Sequence, residues 1–325
     1  MSNLNVLYVT NTFPKEGNSA GTHVKAQIES LIEEGVNGEI VRIETEKSKL
    51  TYLKSMYYIK KLLKKKSYHL IHAYNGFSGL VCTIINKRLP LILSYTGGEI
   101  LNPLTRWIFK FFPKKPDVTI VKSIQMKKIL NKKNIIVIPN GVDLAKFRPL
   151  DKKKARNKLG LDPHKKYILF VGNPNSKIKG FDLAKQAFKL IKNKNENYEL
   201  IVVNGKRYSE MPYWFNSGDV LIMTSKWEGS PNVIKEALSC NLPVVSVDVG
   251  DVKEHLSQRR NCYICKRNPQ EITKKILLTL KNESIDNNSR IYISKFSSEI
   301  IAKKIINIYN STIYTKSEIT RDISN

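Results

Sequence analysis

With 325 residues, 41% of them apolar, the chain has room for two globular domains, and no run approaches the ~18 consecutive apolar residues a spanning helix needs, which argues against a membrane-embedded protein. The net charge of +27 is unevenly placed: residues 1–46 hold three Lys/Arg against seven Asp/Glu, whereas residues 47–140 hold nineteen against two. Acids nearly vanish there, which points to a polyanionic partner, either anionic lipid or nucleic acid.

Taken in order, residues 4–12 read as a first strand without the basic flank and long apolar core of a signal peptide. A cytoplasmic protein is expected, at most peripheral on the cytoplasmic face of the inner membrane. Gly21 closes a Pro/Gly/Ser-containing loop before a helix over residues 22–34, where it either lets backbone approach a ligand or makes a simple tight turn. No G-x-G-x-x-G follows the first strand, which argues against a nicotinamide enzyme.

A strand over residues 39–45 and a helix over 50–66 follow, the latter ending in a lysine-rich run from Lys60 to Lys66. Next come a strand over 69–72, a helix over 79–86, a strand over 89–94 and the loop Tyr95-Thr96-Gly97-Gly98-Glu99. His72 reads first as a strand-end packing residue. In the segment from Arg106 to Lys115, Trp107, Phe109, Phe111 and Phe112 interleave with Arg106, Lys110, Lys114 and Lys115. That pattern suits a membrane interface, or a buried helix whose aromatics are core. It also suits single-stranded nucleic acid, but no RNA- or DNA-binding motif accompanies it, so no specific nucleic acid is expected.

A strand over 118–122, a helix and a strand from residue 135 lead to Pro139-Asn140-Gly141-Val142-Asp143, a strong turn signal. Residues 152–158 read as a polar, exposed helix. A buried strand over 167–172, the loop to Lys179-Gly180, a helix over 181–191, a strand over 199–203 and a loop over 205–211 continue the alternation.

The apolar run 219–223 ends at Ser225-Lys226, and then comes Trp227-Glu228-Gly229-Ser230-Pro231-Asn232-Val233-Ile234-Lys235-Glu236-Ala237. Ser230 suits an N-cap and Pro231 the first helical position, which would set the N–H groups of Asn232 and Val233 beside Glu228. A helix amino end attracts anions, yet a carboxylate beside it repels bare phosphate. Glu228 therefore suits hydroxyls attached to a phosphate, and Glu236, one to two turns on, a second hydroxyl-bearing group. Hydroxyls, diphosphate, hydroxyls: the order describes a sugar nucleotide. The plain alternative is a capped amphipathic helix with surface carboxylates.

A strand over 243–247, the loop 248–251 and helices over 269–281 and 298–309 complete the chain; the last is expected to cross back to the first domain, and the tail from residue 315 to be disordered. Cys262 and Cys265 have metal-ligand spacing without a second Cys/His pair, so with Cys82 and Cys240 they read as reduced buried thiols rather than a metal site. Strands alternating with helices predict an α/β protein of two Rossmann-like, doubly wound parallel-sheet domains facing a central cleft, with ligand at the carboxyl ends of the strands. The expected division is 1–141, 142–300 and a returning helix plus tail over 301–325.

The run E-G-S-P-N-V-I-K-E, followed by A-L-S-C-N-L-P-V-V-S-V-D-V-G-D-V, resembles the donor-site signature of the retaining glycosyltransferases of family 4, which have the GT-B fold. The wording is nearest the branch that builds bacterial surface polymers such as teichuronic acids, capsules and O-antigens. The match is specific over residues 201–254 and looser over most of the chain. The resemblance implies a metal-independent retaining hexosyltransferase moving a sugar from a nucleotide-sugar donor, a UDP-sugar by family frequency, to a lipid-linked or growing surface glycan. The nucleotide-sugar is a substrate, and no cofactor or metal is implied.

By the same resemblance the Gly21 loop faces the donor diphosphate, Lys179 meets it as a point charge, and Gly229, Ser230, Pro231, Asn232 and Val233 line it. Glu228 holds the donor sugar, Glu236 the ribose, and the loop 205–211 the base. His72 is expected near the cleft, and the turn at Asp143 leads into the second domain. Three positions depart from the family: Thr96 and Glu99 replace the usual His and Asp, Thr96 taking the catalytic histidine's place, and Asn173 replaces an arginine. Two further readings follow. One is a non-catalytic partner subunit that binds sugar nucleotide or glycan; the other, resting on charge alone, is a basic nucleic-acid-binding protein. Lys60 to Lys66 and Arg106 to Lys115 are the expected contacts with an anionic membrane surface.

Overall fold

Short runs rich in Val, Ile, Leu and Tyr form the strands, and all of them pair in parallel, which requires a crossover between each pair and buries both sheet faces. The structure is a computed structural model and describes residues 4–14, 21–44, 50–86, 88–110, 116–192, 197–282 and 288–324. The chain divides into two compact units, Met1–Gly141 with Ser298–Asn325, and Val142–Ser297.

In the first unit β1 (Asn5–Thr10), β2 (Asn37–Arg42), β3 (Leu70–Tyr74), β4 (Leu91–Ser94), β5 (Val118–Val121) and β6 (Ile135–Val137) form a sheet of order β2-β1-β3-β4-β5-β6. Its register pairs Tyr8 with His72 and Tyr74 with Ser94. The helices Thr22–Glu33 and Ser298–Ser324 cover one face, Ile28 and Leu31 of one meeting Ile301, Ile305 and Tyr309 of the other in a common core.

The second unit holds β7 (Lys166–Val171), β8 (Tyr198–Val203), β9 (Val220–Met223), β10 (Val244–Val247) and β11 (Tyr263–Cys265), in the order β11-β10-β9-β7-β8. Alternation along β7 shows why both faces are apolar. Tyr167 and Leu169 enter one core with Ile234 and Leu238, and Ile168 and Phe170 enter the other with Ala184 and Ile276. All four cysteines are free and buried.

Two expectations fail here, and a third reading, left open between two alternatives, divides between them. The helix Lys152–Leu159 is not simply exposed: Ala155 and Arg156 are buried, and Arg156 donates to Asp219 at 2.8 Å and to the Ser217 carbonyl at 3.0 Å. Nor is the tail from Thr315 disordered, because the helix Ser298–Ser324 runs through it. Lys316 at its far end bonds Asp117 beside β5 at 2.7 Å, a long-range anchor that composition does not reveal. The aromatic-basic segment splits. Phe109 is fully buried, its ring filling the space a Cβ on Gly76 would need, while Trp107 is 63% exposed; residues 111–115 lie outside the described part.

Candidate active site

Parallel strands bring the loops after β7, β8, β9 and β10 to one edge of the second unit's sheet, and the candidate residues of this unit lie on those loops and on the helix Asn232–Ser239. The loop from Gly172 to Gly180 is fastened to the end of β9. Thr224 Oγ1 donates to the Gly180 carbonyl at 2.9 Å, Lys226 N–H donates to the Ile178 carbonyl at 2.7 Å, and Arg267 donates to the carbonyls of Thr224 and Ser225 at 2.8 Å. Gly180 has φ +66°, and a Cβ there would stand 2.4 Å from the Thr224 carbonyl oxygen. The seam delivers Lys179: its Nζ lies 2.7 Å from Glu228 Oε1, which also accepts from Ser225 Oγ at 2.8 Å. Lys179 is 34% exposed and Glu228 18%, so both stay reachable.

Gly250 has φ +61°, and a Cβ on it would sit 2.7 Å from the carbonyl oxygens of Glu228 and Gly229. The loop after β10 thus rests directly on the turn that carries Glu228. Asn173 is exposed and its Oδ1 accepts from the Asn175 N–H at 2.9 Å, closing its own loop where an arginine would present charge.

The helix that follows is Asn232–Ser239, and its cap is not the one expected. Pro231 is the N-cap residue, with extended φ −69° and ψ 114°, and no side chain caps the helix. Ser230 instead accepts from Lys235 Nζ at 2.6 Å, an ammonium donor that outcompetes a backbone N–H for the hydroxyl oxygen. Asn232 and Val233 still head the helix, so their N–H groups lack intrahelical acceptors. Glu236 is buried and its Oε1 accepts from Tyr208 Oη at 3.2 Å. Burial pushes its carboxyl up to about 7, the Tyr208 hydrogen bond and the charges of Lys235 and Lys146 pulling the other way. Lys146 in turn sits over the Tyr208 ring, 4.3 Å from its centroid.

Several of these partners were not read from the sequence. Tyr208, Arg267 and Arg290 act across long separations; Arg290 donates to the carbonyls of Leu144, Phe147 and Ser239. Lys235 did leave a signal, since it interrupts the apolar face of a helix whose residues from Ile234 to Ser239 are all buried.

Comparison with known proteins decides the family. Residues 8–146 match the family model described as Glycosyltransferase Family 4, and residues 198–282 the one described as Glycosyl transferases group 1. The chain belongs to the family 4 glycosyltransferases. Among curated relatives, an uncharacterized glycosyltransferase of Methanocaldococcus jannaschii is 26% identical over 80% of each chain. The UDP-Gal:alpha-D-GlcNAc-diphosphoundecaprenol alpha-1,3-galactosyltransferase of Escherichia coli is 27% identical over 59% of this chain and 61% of its own length. The lipopolysaccharide core mannosyltransferase LpsB of Rhizobium meliloti is 24% identical, with 57% and 64% covered. Apart from the first, the chain spans between half and two thirds of these relatives' lengths.

The fold is GT-B, as in two solved structures. Sucrose-phosphate synthase from Thermosynechococcus elongatus superposes with a TM-score of 0.81 at 17% identity, over 96% of this chain and 100% of that one. HepE of Anabaena, solved in complex with UDP-glucose, does so with 0.73 at 17% identity, over 95% and 100%.

In this glycosyltransferase the remaining predicted residues, Gly21 and Thr96, belong to the first unit. Gly21 has φ 84°, and a Cβ there would stand 2.7 Å from the backbone of Thr12 and Phe13. The glycine is thus required by its own chain, whatever else approaches it. Thr96 is bound to its neighbour Glu99: its N–H donates to Oε1 at 2.9 Å and its hydroxyl to Oε2 at 3.0 Å, while Gly97 N–H donates to Oε2 at 3.1 Å. His72 is fully buried, between Tyr309 Oη at 2.5 Å and Ser94 Oγ at 2.8 Å. Burial, helped by the Lys122 charge, holds its imidazole well below the ordinary value and so neutral.

Proposed function

We propose that the chain is a retaining, metal-independent hexosyltransferase that uses a nucleotide-sugar, a UDP-sugar, to extend a lipid-linked or growing cell-surface glycan. The observation that carries the reading is the pair Lys179 and Glu228, 2.7 Å apart beside the amino end of the helix Asn232–Ser239. A cation, a carboxylate and free backbone N–H groups together match a charged diphosphate bearing a hydroxyl-rich sugar. The Escherichia coli relative, named for a UDP-Gal donor and a diphosphoundecaprenol-linked acceptor, and HepE in complex with UDP-glucose support the donor and acceptor classes.

In this reading the anomeric C–O bond breaks and leaves its electron pair on the diphosphate. Lys179 and the N–H groups of Asn232 and Val233 stabilise that charge from fixed positions, a role a metal ion fills in other transferases. Glu228 orients the sugar hydroxyls and Glu236 the ribose. The acceptor hydroxyl attacks from the face the diphosphate leaves, its proton passing to a departing phosphate oxygen, so the anomeric configuration is kept.

Membrane association is part of the proposal. Tyr57 on the helix Leu50–Lys65, and Leu104 and Trp107 on the helix Pro103–Lys110, are 73%, 79% and 63% exposed. Tyr52 and Phe109 both pack on Phe77, so these helices flank the same neighbour. Exposed rings and Leu104, together with Lys60, Lys61, Lys64 and Lys65 on the helix Leu50–Lys65, fit the interface of an anionic leaflet on the cytoplasmic side. Among the described residues no helix is long and apolar enough to cross a membrane.

The test is thermal stabilisation of wild type and Glu236→Ala by UDP, GDP and ADP and their hexose conjugates. A ligand at 100 times its dissociation constant adds about 2.7 kcal/mol. Stabilisation of wild type alone by one nucleotide class is expected; no stabilisation by any of them would remove the donor-site reading. Binding without release of the sugar would favour the non-catalytic partner.

A further inference from the structure

Lys235 lies on the helix that carries Glu236, yet its side chain is fully buried, so it cannot meet a ligand directly. Its Nζ donates to Ser230 Oγ at 2.6 Å and stands 3.9 Å from Asp251 Oδ2. His255 Nε2 stands 3.1 Å from the same carboxylate oxygen, and its ring packs edge-on against Phe296 at 4.8 Å. Asp251 and His255 are 3% and 0% exposed. Burial lowers the Lys235 ammonium below its ordinary value, with Asp251 and Glu236 offsetting part of the effect. Burial alone would raise Asp251, but Lys235, His255 and Ser230 outweigh it and hold the carboxyl below the usual range.

The cluster joins three segments around one turn. Ser230 belongs to the turn itself, between Gly229 and the cap residue Pro231. Asp251 ends the loop after β10, next to Gly250, whose backbone presses on the carbonyls of Glu228 and Gly229. Lys235 comes from the helix behind. An ammonium in a dry interior is costly unless every donor is used, and an apolar side chain of similar volume would pack there at less cost. What the charge does here is geometric: it ties the carboxyl-side end of the Glu228 turn, through Ser230, and the 248–251 loop, through Asp251, to the helix that follows.

We propose that Lys235 is a positioning residue, clamping the 228–231 turn through Ser230 and the 248–251 loop through Asp251, so that Glu228 is held at the donor sugar. The proposal rests on the donor-site reading above. It assigns the cluster to sugar recognition rather than nucleotide binding. The helix Asn232–Ser239 is anchored independently, by Ile234, Ala237 and Leu238 in the core.

Two variants separate the clamp from plain stability. Lys235→Met/Asp251→Asn removes both charges while keeping volume, and Ser230→Ala removes only the hydroxyl link. Hydrogen exchange comes first and needs no ligand: amides of residues 227–230 should exchange about tenfold faster in both variants while those of β7, β9 and β10 stay protected. Calorimetry with UDP, GDP, UDP-glucose, UDP-galactose and GDP-mannose follows. The preferred sugar nucleotide should bind at least about tenfold more weakly and turn over up to about a hundredfold more slowly, as misplacement of a substrate-orienting group does, while in Lys235→Met/Asp251→Asn the nucleoside diphosphate alone changes by less than about threefold. Unchanged exchange at 227–230, or equal losses for diphosphate and sugar nucleotide in Lys235→Met/Asp251→Asn, would overturn the clamp and leave the donor site standing. If wild type binds none of these probes the donor-site reading fails, and the exchange result alone still decides whether the clamp exists.

Discussion

Two glutamates sit on turns at the carboxyl ends of parallel strands, one in each unit, and their surroundings are opposite. Glu99, after β4, is 5% exposed and receives three hydrogen bonds from the Thr96 and Gly97 groups of its own turn. Burial raises its carboxyl although those bonds favour the charged form. Glu228, after β9, is more open, and both its bonds, from Lys179 and Ser225, fall on Oε1. A carboxylate whose lone pairs satisfy its own loop is architecture. One that shares a single oxygen with a flexible, half-exposed lysine is free to trade partners with a ligand. The family's usual histidine is replaced in the first turn, and there Thr96 and Glu99 hold each other.

The sharpest break of that comparison is at Glu228. Glu228→Gln and Lys179→Met should each lower turnover by on the order of 10²–10³, the loss typical when one preorganised charge-stabilising contact is removed, with the unfolding midpoint nearly unchanged. Steady-state release of nucleoside diphosphate reads it.

Next is Glu236, a buried carboxyl that titrates near 7. Its folded-state value is raised, so between about 4.5 and 7 the folded chain binds more protons than the unfolded one. Stability from this group is therefore full at low pH and declines as pH rises through that window, by at most about 3 kcal/mol. Glu236→Gln should abolish that slope in pH-dependent denaturation and be the more stable protein at pH 8. Its affinity for a sugar nucleotide, which in wild type should rise between pH 6 and pH 8 as the ribose-binding carboxylate forms, should stay low and flat.

Glu99→Ala belongs to the architectural side. It should destabilise the first unit by about 1–3 kcal/mol through unpaired turn donors, measurable in urea, while the donor-binding constant of the second unit is unchanged. The smallest effect is at the surface: Leu104→Ser/Trp107→Ala should weaken sedimentation with anionic vesicles about tenfold and leave donor binding alone.

Much of the fold was legible because parallel strands buried on both faces write themselves as apolar runs, and the loops placed before residue 181 and at 248–251 hold Gly180 and Gly250, whose backbones make close approaches. The Glu228–Glu236 segment was legible as local chemistry on a strand–turn–helix unit. What was not legible is long-range. Ser230 looks like an N-cap until Lys235 claims it, and Arg156 looks solvated until Asp219, far along the chain, meets it. The end of the last helix reads as a polar tail because its anchor, Asp117, lies 199 residues earlier in the sequence. Phe109 reads equally as membrane contact or as core because nothing local says that Gly76 leaves room for its ring.

The most direct measurement sets the two turns side by side: release of nucleoside diphosphate from the sugar nucleotide that best stabilises wild type, in wild type, Glu228→Gln and Glu99→Gln. The account predicts a loss of two to three orders of magnitude in the first variant and, on protein that remains folded, a change of less than about tenfold in the second. Near-normal turnover in Glu228→Gln, or the larger loss in Glu99→Gln, would contradict it.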